Sequence, residues 1–228
     1  MNYLGHFALN HRVARRPVEP LFAMGVALPD LWPRFSRRRR IRWRAVELGP
    51  HEDQSAERLR QGLLNHAAVD RMFHASAAFV GWQRALKHRV RGSIEHSALL
   101  DFVTHVAIEL AIDHHLLRAD AGLANDFYAA LSPCDPAEVE RLLAPVGDVD
   151  ARGMAAEIRA FVGRRALERY REPPVLVRVL HHVLGLVGVT RPEPDPAVAR
   201  IVAYALEAID LAQLWNELGP RHAEHPTR

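Results

Sequence analysis

His105-Val-Ala-Ile-Glu109-Leu-Ala-Ile-Asp113-His114, near the middle of a 228-residue chain, decides the fold class. Val103, Val106, Ile108, Leu110 and Ile112 recur at three- and four-residue spacing, which predicts a helix from Ser97 to Leu117. His105, Glu109 and Asp113 interrupt that apolar pattern every fourth residue, so each lies one turn along and about 40° round from the last. A second stretch, Gly62-Leu-Leu-Asn-His66-Ala-Ala-Val-Asp70, repeats the device with His66 and Asp70, and His74 follows one turn later.

Outward from these two stretches the pattern stays helical. Helical spacing is read over Asn2 to Arg15, Glu19 to Leu28, Ala56 to about Lys87, and Ala137 to Leu143. It continues over Ala151 to Arg171, Val175 to Leu186 and Ala197 to Glu217. Breaks are signalled at Pro17, Leu28-Pro29-Asp30, Gly49-Pro50, Gly92-Ser93, Ser132-Pro133, Pro145, Pro173-Pro174 and the proline-rich stretch 190–196. Alternating strand patterns are absent. The chain therefore reads as all-α, a single helical bundle of about eight helices in one domain over residues 1–228. A basic, polar connection fills about 33–50, and the tail frays after about Pro220. Ile201, Ala205, Ile209 and Leu214 form an apolar stripe that needs a partner, which keeps the last segment in the same domain.

Composition narrows the function classes. Apolar residues at 49% and charged residues at 25% are ordinary for a globular protein. One cysteine, Cys134, excludes an internal disulfide framework and thiolate zinc clusters, and suits a reducing compartment. There is no apolar leader and no run of about 20 apolar residues, so a cytoplasmic protein without a membrane span is expected. Net charge is only +3, yet Arg34, Arg37, Arg38, Arg39, Arg40, Arg42 and Arg44 crowd together among Trp32, Phe35, Ile41 and Trp43. Such a run is a solvated loop, a docking surface for an acidic protein or anionic substrate, or, less in keeping with the rest, a nucleic-acid or membrane contact.

Fourteen histidines are the chemical signal. Imidazole and carboxylate are what a divalent transition metal takes where no thiolate is offered. His66 with Asp70 alone fits a capped or core histidine as well as a ligand pair. Glu109 and Asp113 carry more weight: two carboxylates four apart on an apolar helix repel each other unless a cation lies between them. The alternative is that this stripe faces water. His114, about 100° from Asp113, reaches the same ion only at its edge and otherwise serves a second ion or a proton transfer. His6 on the first helix and Asp30 after Pro29 fit structural roles, a core histidine and a turn aspartate, equally well.

The order of these residues resembles the bacterial acyl carrier protein phosphodiesterases. Met1-Asn2-Tyr3-Leu4-Gly5-His6 is similar to the family's opening. Gly25-xxxx-Asp30, Gly62-xxx-His66-xxx-Asp70, Glu109-xxx-Asp113-His114 and Arg169-Tyr170-Arg171-Glu172 with Val179-Leu180 follow collinearly. The resemblance implies a fold distantly like HD-type phosphohydrolases and a divalent ion, manganese first, with zinc, iron(II) or magnesium as other options. The implied reaction is hydrolysis of the phosphodiester joining 4′-phosphopantetheine to a serine of acyl carrier protein, an acidic partner linked to fatty acid biosynthesis. His6, Asp30, His66, Asp70, Asp113 and His114 fall on family motif positions. Adding His105 and Glu109 gives His6, Asp30, His66, Asp70, His105, Glu109 and Asp113 as candidate metal ligands, and Asp30, Glu109, Asp113 and His114 as candidate catalytic groups. Arg37, Arg38, Arg39, Arg40 and Arg71 are the candidate phosphate or partner contacts. The chain departs from the family at His74, His105, Glu109 and His181-His182, which bears on substrate more than on chemistry. Two rival readings stand beside this one: a zinc-dependent phospholipase C- or nuclease-like hydrolase using His105, and a non-catalytic helical binding protein.

Overall fold

Prolines preceded by an acid start four of the helices. Glu19-Pro20, Asp135-Pro136, Glu172-Pro173 and Asp195-Pro196 open helices α2 (Pro20–Phe35), α8 (Pro136–Gly147), α10 (Pro173–Leu186) and α11 (Pro196–Ala208). A proline at the first helical position loses no hydrogen bond, and the Glu19, Asp135 and Asp195 carboxylates accept from the free N–H groups that follow. The computed structural model describes residues 1–13, 18–36, 38–92, 97–189 and 195–224, and they are all-α with no strand among them. The remaining helices are α1 (Tyr3–Ala8), α3 (Trp43–Leu48), α4 (Gln54–His74), α5 (Ala77–Arg89), α6 (Ser97–Ala119), α7 (Leu123–Leu131), α9 (Met154–Arg164) and α12 (Leu211–Glu224). A π turn (Leu9–Val13) extends α1, and a 3₁₀ turn (Ala166–Arg171) follows α9.

The helices are more numerous and shorter than the about eight expected. The segment from 56 to 87 divides at Ser76, whose Oγ donates to the Phe73 carbonyl (2.6 Å) and accepts from Phe79 N–H (3.1 Å). One hydroxyl thus closes α4 and opens α5. The segment from 197 to 217 divides likewise at Asp210, which accepts from Ala212 N–H at 2.9 Å. Arg165, with φ 47°, turns the chain between α9 and the 3₁₀ turn. The expected break at Pro29 does not occur: α2 runs through Pro29 and Pro33, because Leu28, Leu31 and Trp32 continue its buried face. Helix α7, absent from the sequence reading, buries Leu123, Phe127 and Leu131 at four-residue spacing. Helix α12 continues to Glu224.

Helix α6 lies at the centre, with α1, α5, α10, α11 and the 3₁₀ turn packed around it. Val103, Ala107, Ile108, Leu110, Ala111 and Ile112 are all buried, which answers the apolar pattern that predicted it. Helices α2 and α4 form the other tight pair. Gly25 and Gly62 meet at their crossing, where a Cβ on Gly62 would sit 2.2 Å from the Phe22 carbonyl oxygen and 2.8 Å from the Gly25 Cα. Only hydrogen fits there, and the close approach brings Asp30, five residues beyond Gly25, to the side of His66, four beyond Gly62.

The basic connection is pinned in place. Within it α3 buries Val46, Ile41 is buried beside it, and the Trp32 indole N–H donates to the Arg39 carbonyl (2.7 Å). Arg60 on α4 ties it down by donating to the Val46 carbonyl (3.0 Å) while holding Glu57 through two bonds of 2.7 and 2.9 Å. Those bonds to Arg60 hold the Glu57 carboxyl down at about 2 against an ordinary 4.5. Its contribution is therefore complete above about pH 4.5 and is lost as pH falls towards 2. Glu57→Gln is expected to cost about 1 kcal/mol at pH 7 and nothing near pH 2. Urea unfolding of both proteins across that range checks this, and a constant difference would refute it.

Candidate metal and phosphoester site

Helices α1, α2, α4 and α6 converge on a cluster of imidazoles and carboxylates. His6 and His66 stack with ring centroids 4.1 Å apart and both present Nε2 to Asp70, at 3.1 Å from Oδ1 and 3.6 Å from Oδ2 respectively. The His66 Nδ1–H donates to the Val26 carbonyl (2.9 Å). A carbonyl only accepts, so the proton is fixed on Nδ1 and Nε2 is the atom turned to the acids, as for a metal-ligating histidine with its outer partner. Asp30 Oδ1 lies 4.0 Å from the same Nε2. Asn10 bridges the His6 carbonyl and Asn65 Oδ1, each at 2.9 Å, locking the first turns against α4.

A second group adjoins the first. His105 Nε2 lies 3.0 Å from Glu109 Oε1 and 3.2 Å from His74 Nε2, with His74 to Glu109 at 3.7 Å. His74 had been expected on the face of His66 and Asp70. At about 40° of drift per four residues it has turned far enough to meet α6 instead. Between the groups lies a feature the sequence does not signal: the Met1 amino group, 2.6 Å from Asp70 Oδ1 and 2.9 Å from Glu109 Oε1.

The buried charges sort themselves accordingly. Burial, with His66 alongside, pushes the His6 imidazole down to about 3, so it is neutral, with one ring nitrogen able to act as a ligand. Burial pushes the Asp30 carboxyl up to about 7. For Asp70 burial acts upward, but the imidazoles of His6 and His66 and the Met1 ammonium outweigh it and hold the carboxyl well down. Glu109 is held down by Met1, His105 and His74 against the same opposing burial. Burial lowers the Met1 amine, yet Glu109, Asp70 and Asp30 bring it up to about 10. His66 too is raised, Asp30 and Asp70 overcoming its burial.

Asp113 is fully buried. Burial drives its carboxyl well above the ordinary carboxylate range, and Oδ1 accepts the Gly5 N–H at 3.0 Å. That upward shift lessens the charge Asp113 sets against Glu109. Asp113 fastens α1 to α6 and belongs to neither ligand group. Asp113→Asn, which keeps an acceptor for Gly5, is expected to be tolerated. Asp113→Ala, which leaves a buried N–H unpaired, is expected to cost about 1–3 kcal/mol. Equal thermal stability of the two variants would contradict that role.

His114 also stands apart: its Nδ1 meets the Tyr170 carbonyl at 2.9 Å, fastening α6 to the 3₁₀ turn. Of the arginine candidates, Arg37 lies outside the described residues. Arg38 is exposed, and Arg39 is engaged with the Asp150 and Arg152 carbonyls. Arg71 is exposed and folds back on the Ala67 carbonyl. Of the four described candidates Arg40 lines the groove that leads to the site, joined by Arg34, Arg169 and Arg178. That groove, 710 Å³ in volume, is also lined by Asp30 and Glu109. Arg34 belongs to the sequence run and Arg169 to the Arg-Tyr-Arg-Glu motif. Arg178 had no sequence signal beyond its place on α10.

The groups suit a divalent cation. His6 Nδ1 and Asp30 Oδ2 are buried without a hydrogen-bond partner, and His6 Nε2 meets only Asp70. Such orphan atoms cost about 1–3 kcal/mol each, and their usual explanation is a strained or functional site or an ion. His6, His66 and Asp70 each offer a ligand atom within 4.8 Å of the others, as do His74, His105 and Glu109. No protein-family model, curated protein or solved structure matches this chain. No helix among the described residues is long and apolar enough to cross a membrane.

Proposed function

We propose that the chain is a metal-dependent phosphodiester hydrolase. The observation that carries this is the fully buried His6, stacked on His66, with Nε2 turned to Asp70 and Nδ1 without a partner, beside the Asp30 that lines an arginine-bearing groove. His6, His66 and Asp70 would hold the ion, with Asp30 beside them. When bound, a divalent cation withdraws charge from phosphoryl oxygens and acidifies adjacent water. The chain's own groups supply the rest. Arg34, Arg40, Arg169 and Arg178 offer charge-assisted bonds to the non-bridging oxygens. The unpartnered Asp30 Oδ2 takes a proton from the attacking water. The water oxygen bonds to phosphorus, the ester P–O bond breaks, and Asp30 passes the proton it took to the departing alcohol oxygen.

Among substrates for this chemistry, the resemblance to acyl carrier protein phosphodiesterases points to holo acyl carrier protein, an acidic protein for which the arginines are a docking surface. Incubation with holo acyl carrier protein and Mn²⁺, followed by mass measurement, is expected to show loss of the phosphopantetheine mass. An unchanged carrier, with turnover of a small diester, would remove the carrier protein and keep the chemistry. One observation favours a second reading, a zinc-dependent phospholipase C- or nuclease-like hydrolase: His105 pairs with His74 and Glu109 as a further ligand group. Full activity with zinc alone, lost on His105→Ala, would favour it.

A further inference from the structure

The groove says more about the substrate than its arginines do. Its two long walls are helix faces. Helix α6 gives Phe102, Val106 and Leu110, and α10 gives Val175, Val179 and Val183, each set at four-residue spacing, with Leu186 and Val187 extending the second. A spacing of four keeps each set on one face, so the groove runs along α10 for about 18 Å from Val175 to Val187. Phe102, Val106, Val179, Val183 and Leu186 are only partly buried, and Val187 is 46% exposed. These are apolar faces left open to solvent where a helical bundle ordinarily closes them. The charged lining is Asp30, Glu109 and the arginines, of which Arg34, Arg40 and Arg178 form no ion pair among the described residues, and Arg178 sits on the α10 wall itself. A ligand complementary to this is anionic at one end and hydrocarbon along the rest.

We infer that the groove takes a phosphate ester bearing a long unbranched hydrocarbon chain, a single-chain lipid-type phosphoester, with its phosphate among the arginines and its chain between α6 and α10. This rests on the phosphoester reading of the site and departs from the carrier-protein substrate. A pantetheine arm carries amides along its length, and apart from Arg178 and His182 the α10 wall is aliphatic and leaves them unpaired.

Calorimetric binding of ethyl, butyl and octyl phosphate, each below its aggregation concentration, tests the inference without depending on turnover. A fully buried methylene is worth up to about fourfold in affinity. With a groove open on one side, Kd is expected to fall at least tenfold from ethyl to octyl phosphate, with a heat-capacity change that grows more negative along the series. Val179→Asp, placing a carboxylate against the chain, is expected to cancel the octyl advantage. Val177→Ser, about 200° round α10 from Val179, should preserve it. Equal affinity across the series, or tighter binding of free 4′-phosphopantetheine than of octyl phosphate, would overturn the inference. Hydrolysis of bis(4-nitrophenyl) phosphate in the same preparations reads the phosphodiesterase assignment separately: absence of turnover with graded alkyl binding would sink that assignment and leave the groove's ligand standing.

Discussion

Asp70→Asn is expected to reduce Mn²⁺-supported hydrolysis of bis(4-nitrophenyl) phosphate by at least a thousandfold while leaving helicity unchanged. Asp70 is where the two imidazoles and the Met1 ammonium meet, with His6 at 3.1 Å, His66 at 3.6 Å and Met1 at 2.6 Å. An amide of the same shape keeps the volume and one acceptor but loses the charge, and a cation held by two neutral nitrogens and an amide oxygen is held poorly. The side chain is 30% exposed, so the substitution opens no core cavity and the loss is chemical. Stability is expected to shift by no more than about 2 kcal/mol, since the Met1 ammonium keeps Glu109 as a partner at 2.9 Å. Activity within tenfold of the parent would mean that hydrolysis takes place elsewhere.

Gly62→Val is expected to have the largest effect on the fold. Its first side-chain carbon would lie 2.2 Å from the Phe22 carbonyl oxygen, 2.8 Å from Gly25 Cα and 2.9 Å from Val26 N, all backbone atoms of α2. No rotamer relieves such a contact, so the helices must separate. Overpacking ordinarily costs about 1–3 kcal/mol, and backbone against backbone lies at or beyond the upper end. Valine in place of glycine recovers at most a few tenths of a kcal/mol in helix propensity, too little to compensate. Separation also breaks the His66 bond to Val26 and moves Asp30, so any folded fraction should be inactive. A thermal midpoint unchanged from the parent would show that the crossing is looser than described. Gly62→Ala is the milder test and should fall between.

Much of this was legible in the residues. The helix around His105–His114 follows from its apolar spacing, and acid-proline pairs start helices where capping chemistry places them. His66 and Asp70, one turn apart, do share a site. Other parts were not local. His6 reads as an ordinary core histidine until α1 is set against α4, and Asp30 reads as a turn residue because Pro29 suggests a break that tertiary packing overrides. Asp113 and Glu109 look equivalent on the helix, yet Gly5 N–H meets one and the Met1 amine the other, and their carboxyls shift in opposite directions. His74 changes partners through rotation that accumulates over two turns. The apolar walls of the groove come from helices more than 60 residues apart, and no motif joins them.

His6, His66 and Asp70 are the proposed cation ligands. Electron paramagnetic resonance titration of Mn²⁺ into the chelator-treated protein and into His66→Ala measures that binding directly. A saturable site in the parent that is lost in His66→Ala, with His105→Ala retaining it, is the predicted result. No bound Mn²⁺ in the folded parent, or undiminished binding in His66→Ala, would contradict it.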